Sequence, residues 1–164
     1  MRPLADLMRP SKLEDFVGQK QILSKGKPLY NLIEGKNICN CIFYGPPGTG
    51  KTTLANIMAN YVDKKFYKLN ATTASVKDIQ DITNNMDNLL SYSGVVLYID
   101  EIQHFNKKQQ QSLLEFIEDG RITLIASTTE NPYFVIHKAI ISRCNIFSFK
   151  PLDSDDIVIG LKKS

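Results

Sequence analysis

Short apolar runs alternate with helical stripes along this chain. Five runs predict buried β-strands: Ile38–Tyr44, Phe66–Leu69, Val95–Ile99, Ile122–Ala126 and Ile146–Phe149. Between them, apolar residues recur at helical spacing in three segments: Thr52–Val62, Val76–Leu90 and Lys107–Glu118. Strands that alternate with helices in this way predict a parallel sheet covered by helices. We therefore expect an α/β fold with three α/β/α layers around a mainly parallel five-stranded sheet.

Composition and charge are compatible with one ordinary domain. The 164 residues are 43% hydrophobic and 23% charged, and the net charge of +3 is mixed along the chain, so it does not by itself indicate a nucleic-acid partner. No run approaches the length of about 18 apolar residues that a membrane span needs. The first residues lack the apolar run of a secretory signal, so we expect a cytoplasmic protein without a membrane partner.

The three cysteines do not predict a disulfide framework, because their number is odd. Cys39 and Cys41 form a C-x-C pair, which would suit zinc if a second pair of ligands followed. No second Cys or His pair lies at ligand spacing. The favoured interpretation is reduced thiols on a strand.

The segment Gly45–Thr52 fits the pattern G-x-x-x-x-G-K-[ST] in full, directly after a strand and before a helix. Glycines at 48 and 50 allow the backbone N–H groups to point at phosphate oxygens, beside the positive end of the helix dipole. Lys51 would bind the β- and γ-phosphates and Thr52 would ligate Mg²⁺. The alternative is a chance Gly/Pro turn. The predicted nucleotide contacts of this segment are Pro46, Pro47, Gly48, Thr49, Gly50, Lys51, Thr52 and Thr53.

A carboxylate pair follows the most apolar strand. Asp100 and Glu101 come directly after Val95–Ile99, at the strand end that meets the phosphate loop in a parallel sheet. Asp100 would hold Mg²⁺ directly or through water, and Glu101 would orient and polarise the attacking water. The alternative is an exposed acidic pair that starts a helix.

The motif G-P-P-G-T-G-K-T, together with the pair D-E, resembles the AAA+ ATPases, a branch of the P-loop NTPases. The N-terminal stretches Leu4–Pro10 and Leu13–Gln19 resemble the clamp-loader type of these ATPases. More particular stretches resemble the replication-associated recombination protein A family (RarA, also called MgsA), which is related to the eukaryotic Werner-helicase-interacting protein. The residues that carry this resemblance are Leu4–Pro10, Leu13–Gln19, Val76–Ile79, Phe105–Lys107, Glu118–Gly120 and Thr128–Pro132.

The resemblance implies further site residues. Val17 and Gly18, within an N-terminal segment of residues 1–20, would lie near the adenine. Thr129, or less favourably Thr128, would be a sensor of the γ-phosphate or the lytic water, unless it is an ordinary polar strand end. Arg143, in Ser-Arg-Cys, would be an arginine finger for the ATP of a neighbouring subunit. Its alternative is a surface salt bridge.

Three other positions are ambiguous at this stage. Asn70 would either restrain Glu101 in the resting state or form a turn. Lys77 would face DNA or solvent. Where the resembled family has I-H-R-F after the carboxylate pair, this chain has Gln103 in place of the histidine and His104 in place of the arginine. The role of that arginine is therefore not carried over, and His104 is expected to face solvent.

The resemblance also implies function and domain organisation. We expect residues 1–150 to form the AAA+ nucleotide-binding core, and 151–164 to start a helical lid domain that is cut short. The expected activity is Mg²⁺-dependent ATP hydrolysis by a homo-oligomer acting on DNA in replication, recombination and repair at stalled forks or gaps. Expected partners are DNA and replication proteins such as single-strand-binding protein, with nucleoid association if the protein is bacterial.

Two alternatives belong to other classes. A nucleotide-gated interaction module would hydrolyse little ATP and would not need Glu101. A protein-unfolding ring would need an aromatic pore loop near residues 70–77, and Ala71–Ser75 contains no aromatic residue.

Overall fold

The computed structural model describes residues 12–85 and 94–152. Its strands are β1 (Cys41–Tyr44), β2 (Lys65–Asn70), β3 (Val95–Asp100), β4 (Ile122–Thr128) and β5 (Asn145–Ser148). Its helices are α1 (Lys20–Leu23), α2 (Pro28–Glu34), α3 (Lys51–Tyr61), α4 (Val76–Asn84), α5 (Lys107–Glu118), α6 (Pro132–Val135) and α7 (Lys138–Ile141). Two short 3-10 turns cover Leu13–Asp15 and Ile102–His104.

The five strands form one sheet in the order β2-β3-β4-β1-β5, and every neighbouring pair is parallel. The prediction of a parallel five-stranded sheet is therefore confirmed. Register pairs Tyr44 with Thr128 and Asn70 with Asp100, so the carboxyl ends of four strands lie along one edge. The phosphate loop and the carboxylate pair consequently meet at that edge.

Helices cover both faces of the sheet, which confirms the three-layer prediction. On one face, Leu29 of α2 and Leu54 of α3 belong to the same buried cluster as Phe43 of the sheet. On the other face, Ile79 of α4 and Leu113 of α5 belong to the cluster around the inner strands. Burial of these apolar surfaces is the main force that holds the layers together.

The inward face of α5 includes one polar side chain. Leu113, Phe116 and Ile117 are buried, Leu114 is only partly buried, and Gln110 is buried with the apolar residues. Gln110 Nε2 donates to the carbonyls of Phe105 and Val135 at 3.1 and 2.9 Å, and its Oε1 accepts from a backbone N–H at 2.7 Å. A polar side chain is tolerated inside because these bonds satisfy it.

Strand β1 is shorter than predicted, since it begins at Cys41 rather than at Ile38. The Asn40 side chain explains the late start: its Oδ1 accepts from the backbone N–H of Leu124 at 2.9 Å, at the place where a longer β1 would extend its pairing with β4. Cys41 thus lies on the strand and Cys39 lies just before it. All three cysteines are free thiols, as predicted.

Four short helices were not predicted, α1, α2, α6 and α7, because segments of four to seven residues carry too little periodicity. Pro151 and Leu152 have no regular secondary structure. The predicted adenine-side positions 1–11, the end of the helical stripe at 86–90 and the lid start at 153–164 lie outside the described residues. Within the described part of the chain, no helix is long and apolar enough to cross a bilayer.

Candidate nucleotide-binding site

The loop after β1 has the shape that the phosphate-loop motif predicts. Gly48 and Gly50 adopt left-handed backbone conformations, with φ of 74° and 92°, which side chains with a Cβ rarely adopt. Thr49 is buried, and its hydroxyl donates to the Pro46 carbonyl at 2.9 Å, which closes the loop. Gly50 is the cap residue of α3, so the free N–H groups of that helix point into the loop.

Lys51 is buried in the first turn of α3. Its Nζ donates to the Gly45 carbonyl at 2.6 Å, which holds the ammonium group against the loop. Burial lowers the pKa of Lys51, while the negative charges of Glu101 and Asp100 raise it and so partly offset that effect. The cation and both carboxylates are therefore close neighbours at the edge of the sheet.

Hydroxyl groups connect the two predicted metal ligands. Ser127 Oγ donates to Asp100 Oδ1 at 2.7 Å. Burial raises the pKa of the Tyr98 phenol to about 12, against the opposing effect of its hydrogen bonds with the side chains of Ser127 and Thr52. Asp100 and Thr52 therefore both lie near the Tyr98 phenol. Their oxygens are of the kind that Mg²⁺ prefers, with room for water and phosphate as further ligands.

Glu101 leaves β3 in a left-handed conformation, with φ of 57°. Its backbone N–H donates to Ser127 Oγ at 3.4 Å, and its Oε2 accepts a hydrogen bond from Gln103 Nε2. Asn70 forms the predicted turn: its Oδ1 accepts from the backbone N–H and the hydroxyl of Thr72 at 2.9 and 2.7 Å. The partner of Glu101 in this structure is therefore Gln103.

The N-terminal segment lies against the phosphate loop. Val17 and Gly18 line a cavity of about 620 Å³, a size in the usual range for small-ligand pockets. A Cβ added at Gly50 would lie 2.6 Å from the Phe16 ring, so this ring packs directly on the loop. Gln19 is buried and donates to the carbonyls of Thr49 and Lys150 at 3.3 and 2.7 Å.

Comparison with known proteins agrees with this geometry. Residues 41–152 match the family described as "ATPase family associated with various cellular activities (AAA)". The chain belongs to the AAA family of ATPases. The predicted P-loop fold and nucleotide-binding class are therefore confirmed.

Several proteins are similar to this AAA domain over most of its length. Replication-associated recombination protein A of Escherichia coli K12 is 42% identical over 157 residues, which cover 95% of this chain and 35% of that protein. ATPase WRNIP1 of Dictyostelium discoideum is 39% identical, over 99% of this chain and 19% of that protein. The resemblance to the RarA family is thus confirmed, and the chain spans about a third or less of these relatives.

Solved structures of RuvB share the fold. The RuvB Holliday junction branch migration motor of Thermotoga maritima superposes with a TM-score of 0.74 and 27% identity, over 95% of this chain and 53% of that one. A RuvB variant from the same organism gives a TM-score of 0.78 with 26% identity, over 96% of this chain and 54% of that one.

The two candidate sensor residues of the AAA domain differ in environment. Thr128 is buried at the end of β4, where its hydroxyl accepts from the Glu130 N–H at 3.0 Å. Thr129 is exposed and follows at the edge that carries the phosphate loop. Strand β4 ends at Thr128, so Thr129 lies just outside it, two residues after Ser127, which bonds to Asp100. The choice of Thr129 over Thr128 as the sensor stays a prediction.

Arg143 lies at the opposite edge of the sheet from the phosphate loop, because it precedes β5 whereas the loop follows β1. Four strand residues separate these edges by about 13 Å at the usual rise of about 3.3 Å per residue. Its guanidinium pairs with Glu118 at 2.7 Å and donates to the Ala139 carbonyl at 2.7 Å. Arg143 thus forms the surface salt bridge that was the alternative interpretation. It lies at the wrong edge of the sheet to reach a nucleotide bound to its own chain.

His104 is exposed, as expected, and Lys77 is also exposed, which fits a position facing DNA or solvent equally well. Four residues of the AAA site were missed from the sequence: Gln19, Tyr98, Gln103 and Ser127. The alternation of side chains along a strand could have identified Tyr98, since it lies two residues before Asp100 and therefore on the same face of the sheet. Gln19, in contrast, acts through partners that are remote in the sequence.

Proposed function

We propose that this AAA domain binds ATP with Mg²⁺ and hydrolyses it. The observation that carries the proposal is the convergence of buried Lys51 with Asp100 and Glu101 at one edge of the sheet, beside the glycine-rich loop. The loop N–H groups and the Lys51 ammonium would hold the phosphates. Val17 and Gly18 would contact the base, and the packing of the neighbouring Phe16 ring on Gly50 of the loop supports this.

The metal would be held by the Thr52 hydroxyl and the Asp100 carboxylate. When bound, Mg²⁺ would neutralise charge on the phosphates. The hydrogen bond from Ser127 Oγ to Asp100 Oδ1 supports this assignment, because it orients the carboxylate in advance.

Glu101 would accept a proton from the attacking water as a general base. Thr129 would hydrogen-bond toward the γ-phosphate or that water. Arg143 would leave Glu118 and reach the ATP of a neighbouring copy, where a permanent planar cation stabilises charge in the transition state. The resting position of Arg143 at the far edge of the sheet supports a site that is shared between subunits.

The cellular role proposed is that of a DNA-associated ATPase in replication, recombination and repair. The similarity to Replication-associated recombination protein A and to the RuvB motor supports it. We propose a cytoplasmic homo-oligomer that contacts DNA and single-strand-binding protein, with nucleoid association if it is bacterial. Residues 1–150 would be its core and 151–164 the start of its lid.

Glu101→Gln in the full-length protein tests the hydrolytic role. General-base assistance is worth about 10²–10⁴-fold, so we expect phosphate release to fall by that factor while a fluorescent ATP analogue still binds. Glu115→Gln is the matched control, since it makes the same change at an exposed position of α5. Unchanged turnover in Glu101→Gln would contradict the assignment. Low turnover in the wild-type protein would favour the nucleotide-gated module.

The DNA role is tested separately by ATP turnover with and without single-stranded or forked DNA. Stimulation supports the DNA motor. An unstimulated ATPase that instead responds to unfolded protein would favour a remodelling ring, although Ala71–Ser75 lacks the aromatic residue that such a ring needs.

A further inference from the structure

Gln103 is held rigidly beside Glu101. It lies in the 3-10 turn Ile102–His104, where the His104 N–H donates to the Glu101 carbonyl at 3.0 Å. Ile102 and Phe105, on either side of Gln103, are buried in the core and anchor the turn. The Gln103 side chain therefore extends from a fixed backbone next to the end of β3.

The amide of Gln103 is oriented by the Glu101 carboxylate. Its Nε2 donates to Glu101 Oε2. Its Oε1 is buried and has no hydrogen-bond partner among the described residues, which is unfavourable for a carbonyl oxygen. The reversed amide would place that oxygen against the negative carboxylate, which is worse still. One oxygen of Glu101 is thus committed to Gln103.

The same carboxylate lies at the edge of the sheet that carries the phosphate loop while Gln103 holds it. Its negative charge, together with that of Asp100, acts on the buried ammonium group of Lys51. The Glu101 backbone is held from the other side by its hydrogen bond to Ser127. Both the main chain and one carboxylate oxygen are therefore fixed, and the second oxygen is left for a water molecule.

We propose that Gln103 is a positioning residue for ATP hydrolysis, which presents the free oxygen of Glu101 to the attacking water. The inference rests on the proposed role of Glu101 as general base. Asn70, the other candidate for a restraint, uses its amide oxygen in a turn with Thr72. The resembled family has histidine where this chain has Gln103, and an imidazole N–H can donate in the same way.

The test compares Gln103→Leu and Gln103→His in the full-length protein. Leucine removes the donor and keeps the bulk, and we expect kcat to fall about 10-fold, a part of the roughly 10²–10⁴-fold that general-base catalysis supplies. KM and the Kd of a fluorescent ATP analogue should stay within about twofold, because the phosphate contacts are untouched. Histidine should restore kcat to within about threefold of wild type. Gln111→Leu, at an exposed position of α5, is the matched control.

A double mutant separates positioning from a structural role. In the Glu101→Gln background, Gln103→Leu should cause no further loss in a single-turnover assay, since its effect passes through the carboxylate. A second full 10-fold loss would overturn the inference, and so would wild-type kcat in a folded Gln103→Leu. If the leucine variant does not fold, Gln103→Met takes its place with the same expected values. Normal turnover of Glu101→Gln would instead overturn the proposed function itself.

Discussion

Substitution of Gly45 by alanine should destabilise the domain through a clash with Phe149, the residue after β5. A Cβ at this position would lie 2.4 Å from the Phe149 carbonyl oxygen and 3.0 Å from the Phe149 Cβ. Ordinary contact between carbon atoms needs about 3.5–4.0 Å, so the Phe149 backbone would have to retreat by about 1 Å.

Phe149 cannot retreat easily, because it is fixed on two sides. Its N–H donates to the Tyr44 carbonyl at 2.6 Å, and its ring is buried against Phe43 with 4.8 Å between the centroids. Overpacking of this kind costs about 1–3 kcal/mol, and we expect a value near the upper end because backbone must move. For a domain of this size, each kcal/mol lowers Tm by about 2–4 °C.

The assay is reversible urea unfolding of Gly45→Ala beside Gly120→Ala. Gly120 has φ of 78° and no atom within 4 Å of an added Cβ, so alanine there meets only backbone strain of about 1–2 kcal/mol. We expect Gly45→Ala to lose at least about 1 kcal/mol more than this control. It should also bind ATP more weakly, because the Gly45 carbonyl accepts from Lys51. Equal losses in the two variants would refute a rigid contact between Phe149 and the loop.

Two further predictions concern the opposite edge of the sheet. Arg143→Ala and Lys51→Ala should each abolish turnover, and mixing them should recover part of it, because an intact finger then meets an intact site; no recovery in the mixture would contradict a shared site. Hydrogen bonds from Cys41 and Asn145 lower the pKa of Cys39 to about 6 despite its partial burial. Because only the thiolate reacts, its alkylation by iodoacetamide should rise through about pH 6 and level off above about pH 7. Asn145→Ala should move this midpoint upward, and an unperturbed midpoint near pH 8.5 in the wild type would contradict the contact.

The phosphate loop and the carboxylate pair were predictable because each is a local feature. Gly45–Thr52 occupies eight consecutive positions between a strand and a helix, and Asp100 and Glu101 directly follow a buried strand. Parallel strands bring their carboxyl ends to one edge, so adjacency of the two motifs followed from the fold class. The α5 bounds Lys107–Glu118 were also predicted, since an amphipathic stripe of this length is a strong signal.

Residues whose partners are remote in the sequence were not predictable. Ser127 bonds to Asp100 across 27 positions, and Gln19 bonds to Lys150 across 131. Nothing in the local pattern around either residue distinguishes it from an ordinary polar side chain. Whether Asn70 restrains Glu101 or forms a turn likewise depended on side-chain directions.

The amino-acid sequence by itself determined the fold class, the phosphate loop and the acidic pair of this domain, because periodicity and short motifs act through neighbours along the chain. Only the tertiary structure decided how these parts are held. Gln103 donates a hydrogen bond to Glu101, Ser127 donates one to Asp100, and Arg143 pairs with Glu118 at the far edge of the sheet. These contacts depend on the register of strands and on side-chain packing, and both arise only when distant segments meet.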